Sequence, residues 1–423
     1  KKMKLQKILS RFLKLHPKEI DLSLDRIKLL CKKLGNPQDK IKAISVVGTN
    51  GKQSTINAIF SILKETNIRC NVYTSPHIQK INERFVFDNK ELEDEELADL
   101  FEKVEKINNK QPITFFEILT ACYFYKAADY PENINLIEAG LFHRFDATNI
   151  LKKNLASIIT SISKDHLDWL PKKQQTIDQI IFEKTSSLLN SNITISKQNL
   201  STTLESIKKT ISKNNSKKLF FNEDFTFSSA ENSFFYYEDK FGSLKLPLPN
   251  ILGQFQLENI SSAIATLRMI NIGIKDEQIK EGIKNIKNVA RLQEIKVGKL
   301  KELIKNNQLI LDGSHNEDGA RVLNEYLETL DCNIHVIIGM MANKDHEKFI
   351  SYFKNIASLT TVDIPNQPNS ISGIKLKEKF KHIPNVKYQK NLEEAIKSVS
   401  LKDNDLLLIT GSLYLSGEFL NLN

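Results

Sequence analysis

The residues best suited to chemistry lie in the run Gly48-Thr49-Asn50-Gly51-Lys52-Gln53-Ser54. Two glycines let a backbone bend so that its N–H groups face inward, a following helix N-terminus adds partial positive charge, and Lys52 supplies a whole one. These are the requirements for holding a nucleotide phosphate. The spacing, G-x-x-G-K-x-S, is shorter than the general phosphate-loop pattern, so that pattern alone is not met. An ordinary glycine turn is the alternative, and it leaves the position of Lys52 without a reason. Three strand-like runs further along end in polar residues. Cys70 to Tyr73 runs into Thr74-Ser75-Pro76-His77, Asn135 to Ile137 delivers Glu138, and Ala156 to Thr160 delivers Ser161 to Asp168 with His166 among them. Ligands gather at the carboxyl ends of strands in a parallel α/β sheet, so these residues are candidates for the same site as the loop.

Such a loop needs a buried strand before it and a helix after it. Ile44, Val46 and Val47 read as the strand, and Thr55 to Lys64 carries apolar residues at helical spacing. Residues 5 to 34 read as two helices joined near Pro17. Glu91 to Lys106 reads as an acidic amphipathic helix, and Thr114 to Tyr125 and Glu258 to Ile270 as further helices. The region 190 to 250, rich in Asn, Ser and Lys with short aromatic strands such as Phe234 to Tyr237, reads as peripheral. After Arg291 the βα rhythm restarts: strand Leu309 to Leu311 into Asp312-Gly313-Ser314-His315-Asn316, helix Asp318 to Leu330, strand His335 to Ile338, and finally Leu406 to Thr410 with GSLYL. Strands alternating with helices imply an α/β fold of doubly wound type, with domains expected over 1–292 and 293–423.

Composition sets the class. A chain of 423 residues accommodates two or three domains, and 40% apolar with 26% charged residues describes a globular protein. A formal charge of +9 is mild over this length and forms no block. Nucleic-acid binding is therefore not expected, while a modest positive field suits anionic small-molecule substrates. Cys31, Cys70, Cys122 and Cys332 are far apart and read as reduced thiols of a cytoplasmic protein. No run of 18 apolar residues suggests a membrane span, and the opening KKMKLQKILSRFLKL, interrupted by charge every few residues, reads as an amphipathic first helix rather than a targeting peptide.

Taken together, GTNGKQS, YTSPH, EAG with RFDATN, TSISKDH, FEKTS, QLEN, ARLQ, LDGSHN, NKD and TGSLYL resemble the folylpolyglutamate synthase and dihydrofolate synthase family, relatives of the Mur ligases. The likeness runs from HPKEIDLSLDRI to GSLYL. It implies an N-terminal P-loop ATPase-type domain, a smaller C-terminal Rossmann-like α/β domain, and an ATP-dependent amide ligase that acts as a monomer through an acyl phosphate. Bringing a γ-phosphoryl group to a carboxylate joins two anions, which calls for Mg²⁺ and basic side chains. By resemblance Ser75 and Glu138 hold one Mg²⁺, His166 a second, and Lys184 carries a carbamate. Likewise Asn259 reads adenine, Arg291 reaches the phosphates, and Asp312 with His315 presents the second domain's edge to nucleotide and acyl phosphate. On the acceptor side Asp146 resembles a pterin-contacting acid, with Thr114, Phe116 and Ala147 about the same pocket. A helix-capping Asp146 is the alternative. His77 and Asp345 receive no role.

Three positions depart from the family pattern: Gln53, the pair Phe142-His143, and Ala290 stand where glycines are usual. A residue with a Cβ at φ > 0 costs roughly 1 to 2 kcal/mol. The loop at Phe142 is accordingly expected to follow another path or carry strain, and the bulk of Phe142 and His143 to alter acceptor preference. The leading reading is a ligase with both dihydrofolate synthase and folylpolyglutamate synthase activities; the competing ones are a ligase restricted to one acceptor or to another carboxylate, and a nucleotide-binding regulator without turnover.

Overall fold

The computed structural model of the chain describes residues 2–229, 233–380 and 382–423. It contains two compact units. One runs to Pro249 and includes Leu257–Ile286; the other comprises Asn250–Gln256 and Lys287–Asn423. Residues 250–256 join the second unit because Leu252 and Phe255 pack against its core cluster, to which Leu292 also belongs.

The first unit is built on eight strands: β1 (Lys42–Val47), β2 (Cys70–Tyr73), β3 (Phe85–Phe87), β4 (Lys90–Glu91), β5 (Ile134–Glu138), β6 (Ala156–Ile159), β7 (Asn192–Ile195) and β8 (Lys217–Phe220). Their order is β4-β3-β2-β5-β1-β6-β7-β8. All are parallel from β2 to β8, while β3 and β4 run antiparallel at one edge. The central strand β1 is flanked by β5, with Val46 opposite Glu138, and by β6, with Val47 opposite Ile159. This register places the ends of β1, β5 and β6 side by side. The region expected to be peripheral instead supplies β7 and β8, which continue this sheet; their short runs, Asn-Ile-Thr-Ile and Lys-Lys-Leu-Phe, are obscured in the sequence by surrounding Asn, Ser and Lys. A separate antiparallel sheet follows, of β9 (Phe225–Ser229), β10 (Phe234–Asp239) and β11 (Gly242–Pro247). Along β10 Phe235 and Tyr237 face inward and Phe234 and Tyr236 outward, the period of two that a half-buried strand requires.

One apolar cluster joins the helices Lys2–Leu13, Asp25–Lys33, Asp94–Asn108 and Phe115–Ala127 through Phe12, Ile27, Phe101 and Phe124. Another joins Val47, Phe142, Ile159, Ile193 and Ile207 with Ile180 of the helix Ile177–Thr185. The helix Lys52–Leu63 that follows β1 lies against the helix Asp276–Lys284. Their approach is so close that a Cβ on Gly282 would stand 2.5 Å from Ile62 Cα, and the Gly282 carbonyl accepts a hydrogen bond from Ser61 Oγ at 2.6 Å.

The second unit holds β12 (Gln293–Ile295), β13 (Gln308–Leu311), β14 (Ile334–Ile338), β15 (Ile356–Val362), β16 (Val386–Gln389) and β17 (Leu406–Thr410), ordered β12-β13-β17-β14-β15-β16. All but β12 are parallel. The four cysteines are free, and Cys31, Cys70 and Cys122 are buried. Among the described residues no helix is long and apolar enough to cross a membrane.

Candidate active site

At the end of β1 the chain turns at Gly48 (φ 147°) and Gly51 (φ 89°), and neither position has room for a side chain. A Cβ on Gly48 would fall on Thr160 Oγ1, and one on Gly51 would lie 2.6 Å from Asn259 Oδ1. The expected inward fan of loop amides is only half right. Thr49 N and Asn50 N donate to the Ser161 carbonyl at 2.9 and 3.2 Å, and Thr49 Oγ1 pairs with Ser163, so this half of the loop is docked on the segment after β6. The other donors of this loop are those of the helix start. Its ladder opens with Thr55 N to Gly51 O, so the amides of Lys52, Gln53 and Ser54 precede that ladder and face the space before the helix. Gln53 lies in the first turn of this helix, where its Cβ costs nothing.

Two lysines converge on one loop oxygen. Lys52 Nζ donates to the Gly48 carbonyl at 3.1 Å and Lys184 Nζ to the same atom at 2.9 Å; Lys184 also donates to the Leu141 carbonyl at 2.9 Å. Lys184 is therefore no solvated surface lysine: it is 1% exposed and ties the phosphate loop to the loop after β5. Burial pushes its ammonium well below the usual lysine range, the Lys52 charge pushes the same way, and Asp165 and Asp146 oppose both. The Phe142 ring lies 5.6 Å from Nζ, inside the core cluster of Val47 and Ile180. Neither Phe142 nor His143 has a positive φ, so the expected strain is absent there. His143 is buried, with Nδ1 2.7 Å from Ser187 Oγ and its N–H donating to the Glu183 carbonyl at 3.0 Å. Arg144 grips the Glu183 carboxylate at 2.7 and 2.9 Å. Both bulky residues thus serve the interior.

On the neighbouring strand ends, Glu138 is buried and its Oε2 accepts the Ser75 N–H at 3.0 Å. A carboxylate beside a serine is a hard-oxygen pair that suits Mg²⁺, an ion that retains several waters and needs few protein ligands. No group of three or more His, Cys, Asp or Glu able to hold a metal occurs among the described residues. His166 adopts a left-handed conformation (φ 57°), and its Nε2 lies 3.7 Å from Asp165 Oδ2. His77 accepts a hydrogen bond from Arg84 Nε at 2.9 Å, and burial with that neighbouring charge lowers its pKa to about 4.

The acceptor-side residues meet at Gly140. A Cβ there would lie 2.8 Å from Asp146 Oδ1 and 2.9 Å from the Phe116 ring. Asp146 does not offer the free two-point edge expected of it. Oδ1 accepts N–H bonds from Gly140 (3.0 Å) and Leu141 (3.3 Å), and Oδ2 accepts the N–H of Thr148 (3.0 Å) and its hydroxyl. Its carboxyl is pushed above the usual aspartate range by burial, with those four hydrogen bonds pulling back. Asp146 thus holds the loop, and Ala147 beside it is core. Thr114 caps the helix Phe115–Ala127 through the Glu117 amide at 3.2 Å. Glu117 was not singled out in the sequence. It is 3% exposed, and its Oε1 accepts from Arg26 Nε at 2.7 Å and Thr114 N at 2.9 Å, while Oε2 is buried without a hydrogen-bond partner. The detectable signal was the T-x-x-E capping box. Through Arg26, and through Glu19, whose carbonyl accepts the Phe116 N–H at 3.3 Å, the segment HPKEIDLSLDRI abuts this wall.

In the second unit the half-buried Arg291 lies in sequence between the buried Ala290 and Leu292. Asp312 carries one backbone hydrogen bond on each carboxylate oxygen: Oδ2 accepts the Leu292 N–H and Oδ1 the Ser314 N–H, both at 2.9 Å. His315 Nδ1 lies 3.0 Å from the Gly313 carbonyl, and Asp345, unassigned in the sequence, caps the helix His346–Ile350.

Residues 46–267 match the Mur ligase middle domain, and residues 299–413 the Mur ligase glutamate ligase domain. The dihydrofolate synthase/folylpolyglutamate synthase of Haemophilus influenzae is 30% identical over 97% of this chain and 95% of its own length. The protein of the same description from Bacillus subtilis is 29% identical over 92% of each. Among solved structures, E. coli FolC in complex with DHPP and ADP aligns with a TM-score of 0.87 at 25% identity, covering 99% of this chain and 97% of the other.

Proposed function

This chain belongs to the Mur ligase family, in its dihydrofolate synthase/folylpolyglutamate synthase branch, and from that premise and the site geometry we infer that it joins L-glutamate to folate acceptors with consumption of ATP. The observation that carries the chemistry is the convergence of Lys52 and Lys184 on Gly48, beside Glu138 and Ser75 at the next strand ends. The helix-start amides and Lys52 hold the β- and γ-phosphates. Glu138 with Ser75 would hold one Mg²⁺ and His166 would serve a second, and these ions supply neutralisation between two anions that must meet. The acceptor carboxylate attacks the γ-phosphorus, ADP departs, and the resulting acyl phosphate is attacked at carbon by the glutamate amine, with phosphate leaving as the amide forms. By family resemblance Arg291 and His315 are proposed as phosphate contacts, and Asn259 as the adenine contact.

Phe116, Gly140 and the loop locked by Asp146 form the proposed pterin wall, and the buried Oε2 of Glu117 is the acceptor proposed for a pterin N–H. The chemistry as written needs no carbamate. One on Lys184 would have to displace Nζ from two carbonyl oxygens, although burial does lower the pKa of that amine. The test is ADP release in the presence of Mg²⁺. It should depend on both L-glutamate and a pteroate acceptor, with product mass giving the number of residues added. ADP release indifferent to either substrate would overturn the reading.

A further inference from the structure

Half of the phosphate loop leans on one carbonyl. Thr49 N and Asn50 N both donate to the Ser161 oxygen, at 2.9 and 3.2 Å. That oxygen belongs to the peptide group whose N–H is that of Ile162, and this N–H donates to Gln198 Oε1 at 2.9 Å. A trans peptide group is planar, so its C=O and N–H point in opposite directions and turn together. What holds the Ile162 N–H therefore aims the Ser161 carbonyl. Gln198 does so with a fully engaged side chain, because Nε2 also donates to the Thr160 carbonyl at 3.1 Å and to the Ser196 carbonyl at 3.0 Å. The reverse orientation of this amide would set its oxygen against two carbonyls, so only one orientation satisfies it. The ladder between β6 and β7 closes with Ser196 N donating to Ile159 O at 2.9 Å, and the Gln198 side chain carries the connection beyond that point. Its base is firm: Ser196 is buried, with Oγ 2.6 Å from Ser262 Oγ on the helix Phe255–Ile270. All of these residues lie in the first unit.

We propose that Gln198 is a positioning residue for the phosphate loop: through the rigid Ser161–Ile162 peptide group it aims the carbonyl on which Thr49 and Asn50 dock. Its three hydrogen bonds are all spent on backbone, so it acts on the loop and not on the nucleotide. Without the Gln198 bond that peptide group is free to turn, and the two loop amides lose their common acceptor. Thr49 and Asn50 stand in the chain between Gly48, whose carbonyl takes both Lys52 and Lys184, and Gly51, which begins the helix start. A shift of their dock therefore moves the donors on both sides. The bonds between Thr49 Oγ1 and the Ser163 backbone, at 3.1 and 3.2 Å, lie on the far side of Ile162, so Gln198 grips the middle of the docking segment. The inference rests on the reading that this loop holds nucleotide phosphates.

The experiment uses Gln198→Met in the full chain, which keeps the length of the side chain and removes all three hydrogen bonds; Gln198→Glu, which keeps the acceptor but not the two donors, replaces it if circular dichroism shows that the Met variant does not fold. Hydrogen exchange read by mass spectrometry without nucleotide reports the docking itself. Peptides spanning the phosphate loop should exchange about tenfold faster than in the parent, while peptides from the helix Phe115–Ala127 keep the parent rate. ADP affinity, measured by calorimetry with Mg²⁺, should fall about tenfold, the equivalent of one to two lost hydrogen bonds. Unchanged exchange in the loop would overturn the inference. So would exchange that rises equally throughout the first unit, which is general destabilisation, or faster loop exchange with ADP affinity intact. If the parent itself does not bind ADP, the failure lies with the reading of the loop as a nucleotide site.

Discussion

His143 makes the protein acid-sensitive by an amount that can be worked out. Its ring is buried against Ser187, and burial lowers its pKa from 6.5 to about 4. A group whose folded pKa is depressed contributes stability that is complete above its unfolded pKa and lost as pH falls toward the folded one. The window is therefore pH 6.5 down to about 4. At about 1.4 kcal/mol per pH unit, the full loss is about 3 kcal/mol, and by pH 5 about 2 kcal/mol has gone. His143→Gln keeps a polar group near Ser187 but cannot titrate. The sequence contains a single tryptophan, Trp169, in the same unit as His143, so its fluorescence during urea unfolding reports that unit. The parent should lose about 2 kcal/mol more than His143→Gln between pH 7.5 and pH 5. His77, also lowered to about 4, is common to both proteins and cancels. Parallel stability curves for the two proteins would refute the argument.

Gly51→Ala places a Cβ 2.6 Å from Asn259 Oδ1 at a φ of 89°, so ADP affinity should fall at least about tenfold by calorimetry, from a strain of roughly 1 to 2 kcal/mol plus displacement of Asn259. Phe142→Ala should destabilise the first unit by about 3 to 5 kcal/mol, yet leave the ratio of kcat/KM for dihydropteroate and tetrahydrofolate unchanged, because the ring belongs to the core cluster. A shifted ratio would return Phe142 to the acceptor pocket. Glu117→Gln removes the charge opposite Arg26. It should cost about 2 kcal/mol in urea unfolding, below the usual range for a broken buried pair because Arg26 keeps Asp21 at 3.1 Å, and should raise KM for the folate acceptor without changing that for ATP.

Much of this protein was legible from local pattern. The glycines of the phosphate loop, the strand ends carrying Ser75 and Glu138, and the restart of the βα rhythm after Arg291 depend on residue type and near-neighbour spacing, which sequence carries directly. The strands β7 and β8 were missed because their apolar positions are few and only the adjacent strands of the sheet give them a place. What tertiary structure alone decided was where each polar atom spends its hydrogen bonds. Asp146, expected to offer a free edge, has both oxygens engaged within its own loop; Phe142, expected to crowd the acceptor pocket, packs within the core; Lys184, ambiguous by itself, is buried between two carbonyls. A residue's type states which bonds it is able to form. Which ones it makes depends on groups brought near by chain closure over many tens of residues, such as Lys184 and Gly48, 136 positions apart.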